Sequence, residues 1–316
     1  MKIPMIKKFK LLTILLIIFA SNTVLANNKF SKNSVGSNSV YTFEFRNSIT
    51  RNNQRLQISM PHNWIEYAQS QENNFSSFQN ARSFYTKPVQ NFILNWVNEY
   101  NKHNNRDAIN VSFKNDSISI NYQKIEDYEN LKNILDRVEE RAKQMNAVKK
   151  LDDNRLIIDY HSIVNNYKNP SKEIMNQIMR QIPSFERLSF RNQVEILSDF
   201  IQSIPYNTPN NRFRHPVSVI NENMGDCDEK SVLLGLLIKS LPNSKGVSLM
   251  YLNKALNNED HMIILVEMDS NASDVTINLA GTQYIPIETT ATVSIGRLHK
   301  SVLDQINRKE FFTIKI

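Results

Sequence analysis

Glycine is scarce in this chain: six in 316 residues, at positions 36, 225, 235, 246, 281 and 296, never closer together than ten. That spacing forbids both the GxGxxG turn of dinucleotide-binding folds and the GxxxxGK[ST] phosphate loop, so nucleotide chemistry built on either is excluded. Cysteine is scarcer still. The single Cys227 cannot form an internal disulfide, and the chain is no disulfide-stapled scaffold. Charged residues make up 22% and hydrophobic ones 41%, the proportions of an ordinary globular chain of one or two domains with a real core.

Positive charge is also in shorter supply than the formal +7 indicates. Lys2, Lys7, Lys8 and Lys10 precede the apolar run Leu11 to Ala20, and Val24-Leu25-Ala26 supplies a small-residue ending. A basic segment, a short apolar segment and such an ending form a secretory signal peptide; the run is shorter than the roughly 20 residues that a spanning helix needs. Removing residues 1–26 takes four lysines from the 38 basic residues and leaves a balance of +3 against 31 acidic ones. The electrostatic case for nucleic acid goes with them. The expectation is a periplasmic or secreted protein with no nucleic-acid partner and no membrane attachment after leader cleavage. In an oxidising compartment cysteines normally pair, so a lone Cys227 is either a reactive thiol or a buried, inert one.

Periodicity organises the rest. Residues 27 to 39 are polar and expected to be unstructured. Tyr41, Phe43 and Phe45, then Leu56, Ile58 and Met60, alternate as half-buried strands do, and Ile109 to Phe113 with Ile118 to Tyr122 read as a hairpin. Residues 69 to 82 read as an Asn/Ser/Gln-rich loop. Helices are expected at 89–100 and at 128–145, where Tyr128, Leu131, Leu135, Val138, Ala142 and Met145 form one stripe. Trp64 and Trp96 read as core. A strand at 156–160 is expected to lead through Asn165 to Pro170 into two helices, the second carrying Phe190, Val194, Leu197, Ile201 and Ile204 before Pro205. Five of the six glycines lie at 225 or beyond, and this change in composition places a boundary near 165: a leader at 1–26, an N-terminal α+β region at 27–165 and a second domain at 166–316.

The chemistry concentrates in Gly225-Asp226-Cys227-Asp228-Glu229-Lys230-Ser231, which runs into an apolar stretch to Ile238. A Gly turn, acids and a long apolar run mark a buried helix with Asp226 as N-cap and Cys227 in its first turn. Unpaired N–H groups and the positive end of the helix dipole favour a thiolate there and can receive an oxyanion, while Asp228 and Glu229 oppose the thiolate. A basic partner is therefore needed. Of the six histidines, His261 opens the apolar run 262–266, a buried strand that would hold the ring rigidly, and Glu288 ends another strand. Cys227, His261 and Glu288 then have the types required for nucleophile, general base and orienting carboxylate; Glu267 and Asp269 are the reserve acids. Taken singly, a histidine at a strand end is more often structural than catalytic, and a glutamate there is usually a solvated surface group.

The order of Phe200-Ile201-Gln202-Ser203-Ile204-Pro205-Tyr206, His215-Pro216, the block 225–231, His261-Met262 and Tyr284-Ile285-Pro286-Ile287-Glu288-Thr289-Thr290 resembles the bacterial transglutaminase-like superfamily. The resemblance covers about residues 165 to 295. It implies an α+β fold with a papain-like core, a Cys-headed helix packed on an antiparallel sheet, and the triad Cys227, His261, Glu288. It further implies Gln202 as an oxyanion donor beside the Cys227 N–H and Tyr206 in the substrate cleft. The acid departs from the commoner Asp, and the aromatic that helps to bind the oxyanion in eukaryotic members has no match. The implied function is a cysteine peptidase or amidase acting on a cell-envelope polypeptide through a thioester, with a crosslinking transglutaminase or a non-catalytic binding module as alternatives. No cofactor is implied. Calcium at Asp226, Asp228 and Glu229 is left open, although three acids within four residues lack the spacing of a calcium loop.

Overall fold

The structure, a computed structural model, describes residues 29–81, 87–114, 117–146, 148–150, 156–207, 213–256 and 259–316. The leader expected at 1–26 lies outside these. Among the described residues no helix is long and apolar enough to cross a membrane.

The chain is a mixed α and β structure whose strand ladders are all antiparallel. It opens with β1 (Phe30–Val35), β2 (Asn38–Arg46) and β3 (Asn53–Pro61), which form a three-stranded sheet. The alternating residues Tyr41, Phe43, Phe45, Leu56, Ile58 and Met60 are all buried on one face. The segment expected to be unstructured thus contains β1. Its side chains beyond Phe30 are exposed, so it is an edge strand held by backbone bonds to β2, for which side-chain alternation gives no signal. Next come α1 (His62–Ala81), α2 (Lys87–His103), the hairpin β4 (Ile109–Lys114) and β5 (Ser117–Tyr122), then α3 (Ile125–Asn146) and the short pair β6 (Val148–Lys150) and β7 (Leu156–Ile158). α1 replaces the loop expected at 69–82. It buries Ile65, Ala68 and Glu72, a stripe one residue wide that its polar surroundings conceal.

α4 (Tyr160–Gln181) runs straight through Asn165 and Pro170, where a connection was expected. Proline there forfeits one helical hydrogen bond. Burial of Ile163, Val164, Tyr167, Ile174, Met175 and Ile178 on the same helix outweighs that loss. The boundary near 165 therefore falls inside one helix, and a single apolar cluster joins β2 and β3 to α4 and to everything that carries the site. The free edge of β3 is covered from α4: Gln177 bonds both the N–H and C=O of Ser59 (2.8 and 3.0 Å), and Gln181 bonds both of Gln57 (2.7 and 2.6 Å).

After α4 come α5 (Phe190–Ser203), α6 (Pro216–Glu222) and α7 (Cys227–Lys239). β8 (Val247–Leu256), β9 (Glu259–Val266), β10 (Ile277–Leu279), β11 (Thr282–Ile287), α8 (Lys300–Asn307) and β12 (Phe311–Lys315) complete the chain. The five strands form one sheet in the order β10-β11-β9-β8-β12. α7 packs on one face, and α8 covers the other through Val302. Contact is close: a Cβ on Gly235 of α7 would meet Ile316 Cδ1 at 2.6 Å and Ile264 Cδ1 at 3.2 Å. Ala280 and Gly281, both at positive φ, turn β10 into β11 in two residues and so fix the register that delivers Glu288.

Candidate active site

Cys227 is the first residue of α7, as its sequence implies. Asp226 is the N-cap: its carboxylate accepts from Glu229 N–H (3.2 Å) while Glu229 accepts from Asp226 N–H (3.0 Å), a complete capping box. Glu229 is fully buried and is also paired with Arg214 (3.2 Å). Burial pushes its carboxyl up to about 7 against the pull of the Arg214 bonds. It is a structural cap turned inward from the thiol. Asp228 faces the other way and accepts the Tyr160 hydroxyl at 2.7 Å. Burial and the facing Asp228 and Glu229 carboxylates push Asp226 up to about 10.

The half-buried Cys227 packs against the apolar cluster that includes Met262, the residue after His261, and Ser231, one turn along α7, reaches the Met262 carbonyl (3.4 Å), so the start of α7 lies against β9. Burial first, then the charges of Asp228 and Asp226, push this thiol well above its ordinary range, and the Met262 N–H only partly opposes them. The helix end and the acids were expected to compete; burial, with the acids adding to it, outweighs the helix end. Among the described residues no group of three or more His, Cys, Asp or Glu side chains is placed to hold a metal ion. With Glu229 committed to Arg214 and to the cap, the three acids do not converge as calcium ligands.

His261 and Glu288 meet at the end of the sheet. Both are buried, and Nε2 lies 2.7 Å from Oε2. The other carboxylate oxygen accepts the Thr290 N–H (2.9 Å) and hydroxyl (2.7 Å). Burial works to raise Glu288, but the hydrogen bond and charge of His261, with Thr290, outweigh it and hold the carboxyl below its ordinary value. Thr289 faces α7, where its hydroxyl contacts Ser231 Oγ (3.2 Å) and donates to the Cys227 carbonyl (3.4 Å). The Glu-Thr-Thr and Cys-Asp-Glu-Lys-Ser segments are thus parts of one bonded unit.

Gln202 is close to this unit but is not an oxyanion donor. Its Nε2 donates to the Glu288 carbonyl (2.8 Å) and the Val293 carbonyl (2.9 Å), which uses both amide hydrogens to hold the end of β11. Tyr206 is half exposed, and the segment Pro205 to Asn207 pairs with Gly225, two residues before Cys227, through Gly225 N–H to Pro205 O (3.2 Å) and Asn207 N–H to Gly225 O (3.1 Å). His215 belongs to the scaffold: Nδ1 contacts the Tyr167 hydroxyl (2.9 Å), its backbone N–H donates to Glu72 (2.7 Å), and burial pushes the ring down to about 4. Glu267, a reserve acid, lies beyond the far end of β9 and accepts the Gly246 N–H, about 20 Å along the strand from His261.

Tyr160 and Lys230 had no assigned role. Lys230 is fully buried, donates to the Ile204 carbonyl (2.7 Å) and is pushed down to about 8 by burial, with the Glu288 charge acting the other way. Its signal was available, since a lysine next to a long apolar run has nowhere to go but inward. Tyr160 gave none: it reaches Asp228 across 68 residues of chain.

No protein-family model matches the chain, and no curated protein matches it. Solved structures of LapG from Legionella pneumophila overlap with it in part. One is 13% identical with a TM-score of 0.30 and covers 42% of this chain and 75% of its own. An EGTA-treated form is 14% identical at 0.32, covering 48% and 79%, and a calcium-bound form 11% identical at 0.30, covering 58% and 81%. Likeness of that order assigns nothing to this chain, whose own residues carry the chemistry.

Proposed function

We propose that the chain is a thiol hydrolase of the transglutaminase-like kind that attacks peptide or carboxamide carbonyls, with Cys227 as nucleophile, His261 as general base and then acid, and Glu288 as the orienting carboxylate. The observation that carries this reading is the buried 2.7 Å contact between His261 Nε2 and Glu288 Oε2 beside the start of a helix headed by the single cysteine. An ionised Glu288 accepts the Nε2 proton, which leaves the Nδ1 lone pair of the neutral ring for the thiol. Because burial, with the surrounding acids, keeps the sulfur protonated, its proton moves to His261 as the sulfur attacks, without a resting ion pair. The N–H groups of Cys227 and Asp228 open the helix ahead of its internal bonding and are the donors for the oxyanion. The imidazolium, stabilised by Glu288, protonates the departing amine, and water then hydrolyses the thioester.

The basic, apolar and small-residue pattern of residues 1–26 supports action outside the cytoplasm on a polypeptide of the cell envelope. The test incubates the mature protein and its Cys227→Ala variant with envelope extract, with and without a fluorescent primary amine. Shortening of one or a few polypeptides that depends on Cys227, with little amine incorporated, is the expected result. Labelled glutamines without cleavage would make it a transglutaminase. A stoichiometric partner retained equally by both proteins, with neither reaction, would make it a binding module.

A further inference from the structure

The pairing registers of β9, β8 and β12 set Met262, Tyr251 and Phe312 directly opposite one another in a single row. That row lies on the α7 face of the sheet, since Met262 belongs to the apolar cluster under α7 and Tyr251 packs against it, as does Ile314, two residues from Phe312 on the same strand. The row begins beside the nucleophile, because Cys227 packs against the cluster that contains Met262 and Ser231 of the same helix reaches the Met262 carbonyl (3.4 Å). It ends in solvent. Tyr251 is half-buried, and its ring stacks on Phe312 with centroids 4.7 Å apart and planes at 29°, while Phe312 is 54% exposed on the edge strand. At about 4.8 Å between strands, Phe312 lies roughly 10 Å from β9, the strand against which the start of α7 packs, within reach of a side chain flanking the bond under attack. The Tyr251 hydroxyl is bonded to Asp260, which fixes the ring. An exposed aromatic stacked on a second ring, continuous with a nucleophile and beyond the packed core, is what a binding pocket wall looks like before its ligand arrives.

We propose that the Tyr251–Phe312 shelf is the subsite that takes an aromatic or large apolar side chain of the polypeptide substrate, next to the carbonyl that Cys227 attacks. This rests on the reading of Cys227 as nucleophile and sharpens it by naming the side-chain class that the enzyme selects.

The experiment labels Cys227 of the mature protein with two chloromethyl ketones, built on N-acetylphenylalanine and N-acetylalanine, each forming a carbon–sulfur bond as chloride leaves. Phe312→Ser, Phe312→Leu, Tyr251→Leu and His261→Ala are compared with the wild type, and oligomeric state is followed by light scattering. The wild type should prefer the phenylalanine reagent by about tenfold. Phe312→Ser and Tyr251→Leu should bring the preference close to one, and Phe312→Leu should restore part of it, while the rate with the alanine reagent stays within about twofold. A preference that survives Phe312→Ser and Tyr251→Leu overturns the proposal. So does a Phe312→Ser protein that changes from dimer to monomer with its preference intact, which would make the shelf a contact between copies. Failure of the nucleophile reading looks different: labelling by both reagents would be no faster than for free cysteine and indifferent to His261→Ala.

Discussion

The sheet β1–β3 and the hairpin β4–β5 both precede α4 in the chain, yet they stand in different relations to the site. Phe43 and Phe45 of β2 pack on Phe200 of α5, at ring distances of 5.1 and 5.8 Å, and two residues further on Gln202 holds the Glu288 carbonyl. Lys32 and Tyr41 both donate to Asn221 of α6, at 2.7 and 2.8 Å. This sheet is a wall of the same core as the thiol. The hairpin has a core of its own, made by Ile109 and Val111 with Ile93, Val97 and Leu131 of α2 and α3, and its polar anchor is internal, with Asp127 bound by Arg106 (2.7 Å) and Tyr100 (2.9 Å). Proximity in sequence therefore says little here about membership of the catalytic unit. Packing assigns it.

The largest effect should come from the site side of this contrast. Glu288→Gln keeps an acceptor for Thr290 and loses the charge that stabilises imidazolium, so turnover should fall by about 10³ to 10⁴ while the circular dichroism spectrum is unchanged. Arg106→Ala, on the hairpin side, should leave turnover alone. A comparable loss in both would erase the distinction.

Truncations in the two cores come next. Phe200→Ala should cost about 3–5 kcal/mol in denaturant unfolding and speed hydrogen exchange in both β2 and α7. Leu131→Ala should cost about 2–5 kcal/mol and speed exchange only in α2, α3, β4 and β5. Faster exchange in α7 on Leu131→Ala would join the two cores into one.

His215 tests the seam itself, since it ties α6 to Glu72 of α1 and Tyr167 of α4. Its folded value, about 4, lies below the unfolded value near 6.5. As pH falls, the unfolded chain therefore takes up the proton first. The stability this histidine contributes is complete above about 6.5 and is lost progressively down to about 4, by up to about 3 kcal/mol. Urea midpoints at pH 7.5 and 4.5 should separate less in His215→Asn than in the wild type; equal separations would remove His215 from the acid response.

The smallest effect is electrostatic. Asp228→Asn keeps an acceptor for Tyr160 and removes one of the charges that hold the thiol protonated, so alkylation of Cys227 by iodoacetamide near neutral pH should quicken by about tenfold. An unchanged rate would remove Asp228 from the cause and leave burial and Asp226.

What could be read from the sequence was what its residues encode locally. Gly225, Asp226 and the apolar run after Cys227 specify a capped, buried helix start, and the apolar run 262–266 specifies the strand that carries His261, which begins two residues before that histidine, at Glu259. β1 and the later part of α1 escaped because the first is an edge and the second is mostly polar from residue 69 on, so neither carries the periodic burial on which such reading depends. The ionisation of Cys227 escaped for another reason. Asp226 and Asp228 are visible beside it, but nothing local shows that Glu229 turns away to Arg214, that Tyr160 arrives at Asp228, or that the sulfur is deep enough for burial to dominate. Gln202 was placed in the right neighbourhood with the wrong task, since the carbonyls that consume its hydrogens come from 86 and 91 residues later.

The two glutamines on α4 carry a consequence for the life of the protein in a crowded compartment. Gln177 and Gln181, one helical turn apart, pair with Ser59 and Gln57, two residues apart on a strand, so that a helix imitates the next strand of a sheet. Without them β3 would offer two donors and two acceptors in a row, beside an apolar face, to any extended chain it met. Leucine at both positions would preserve the helix and strip that imitation away. The resulting protein would be one that folds and then aggregates edge to edge, its solubility set by two side chains far from any chemistry.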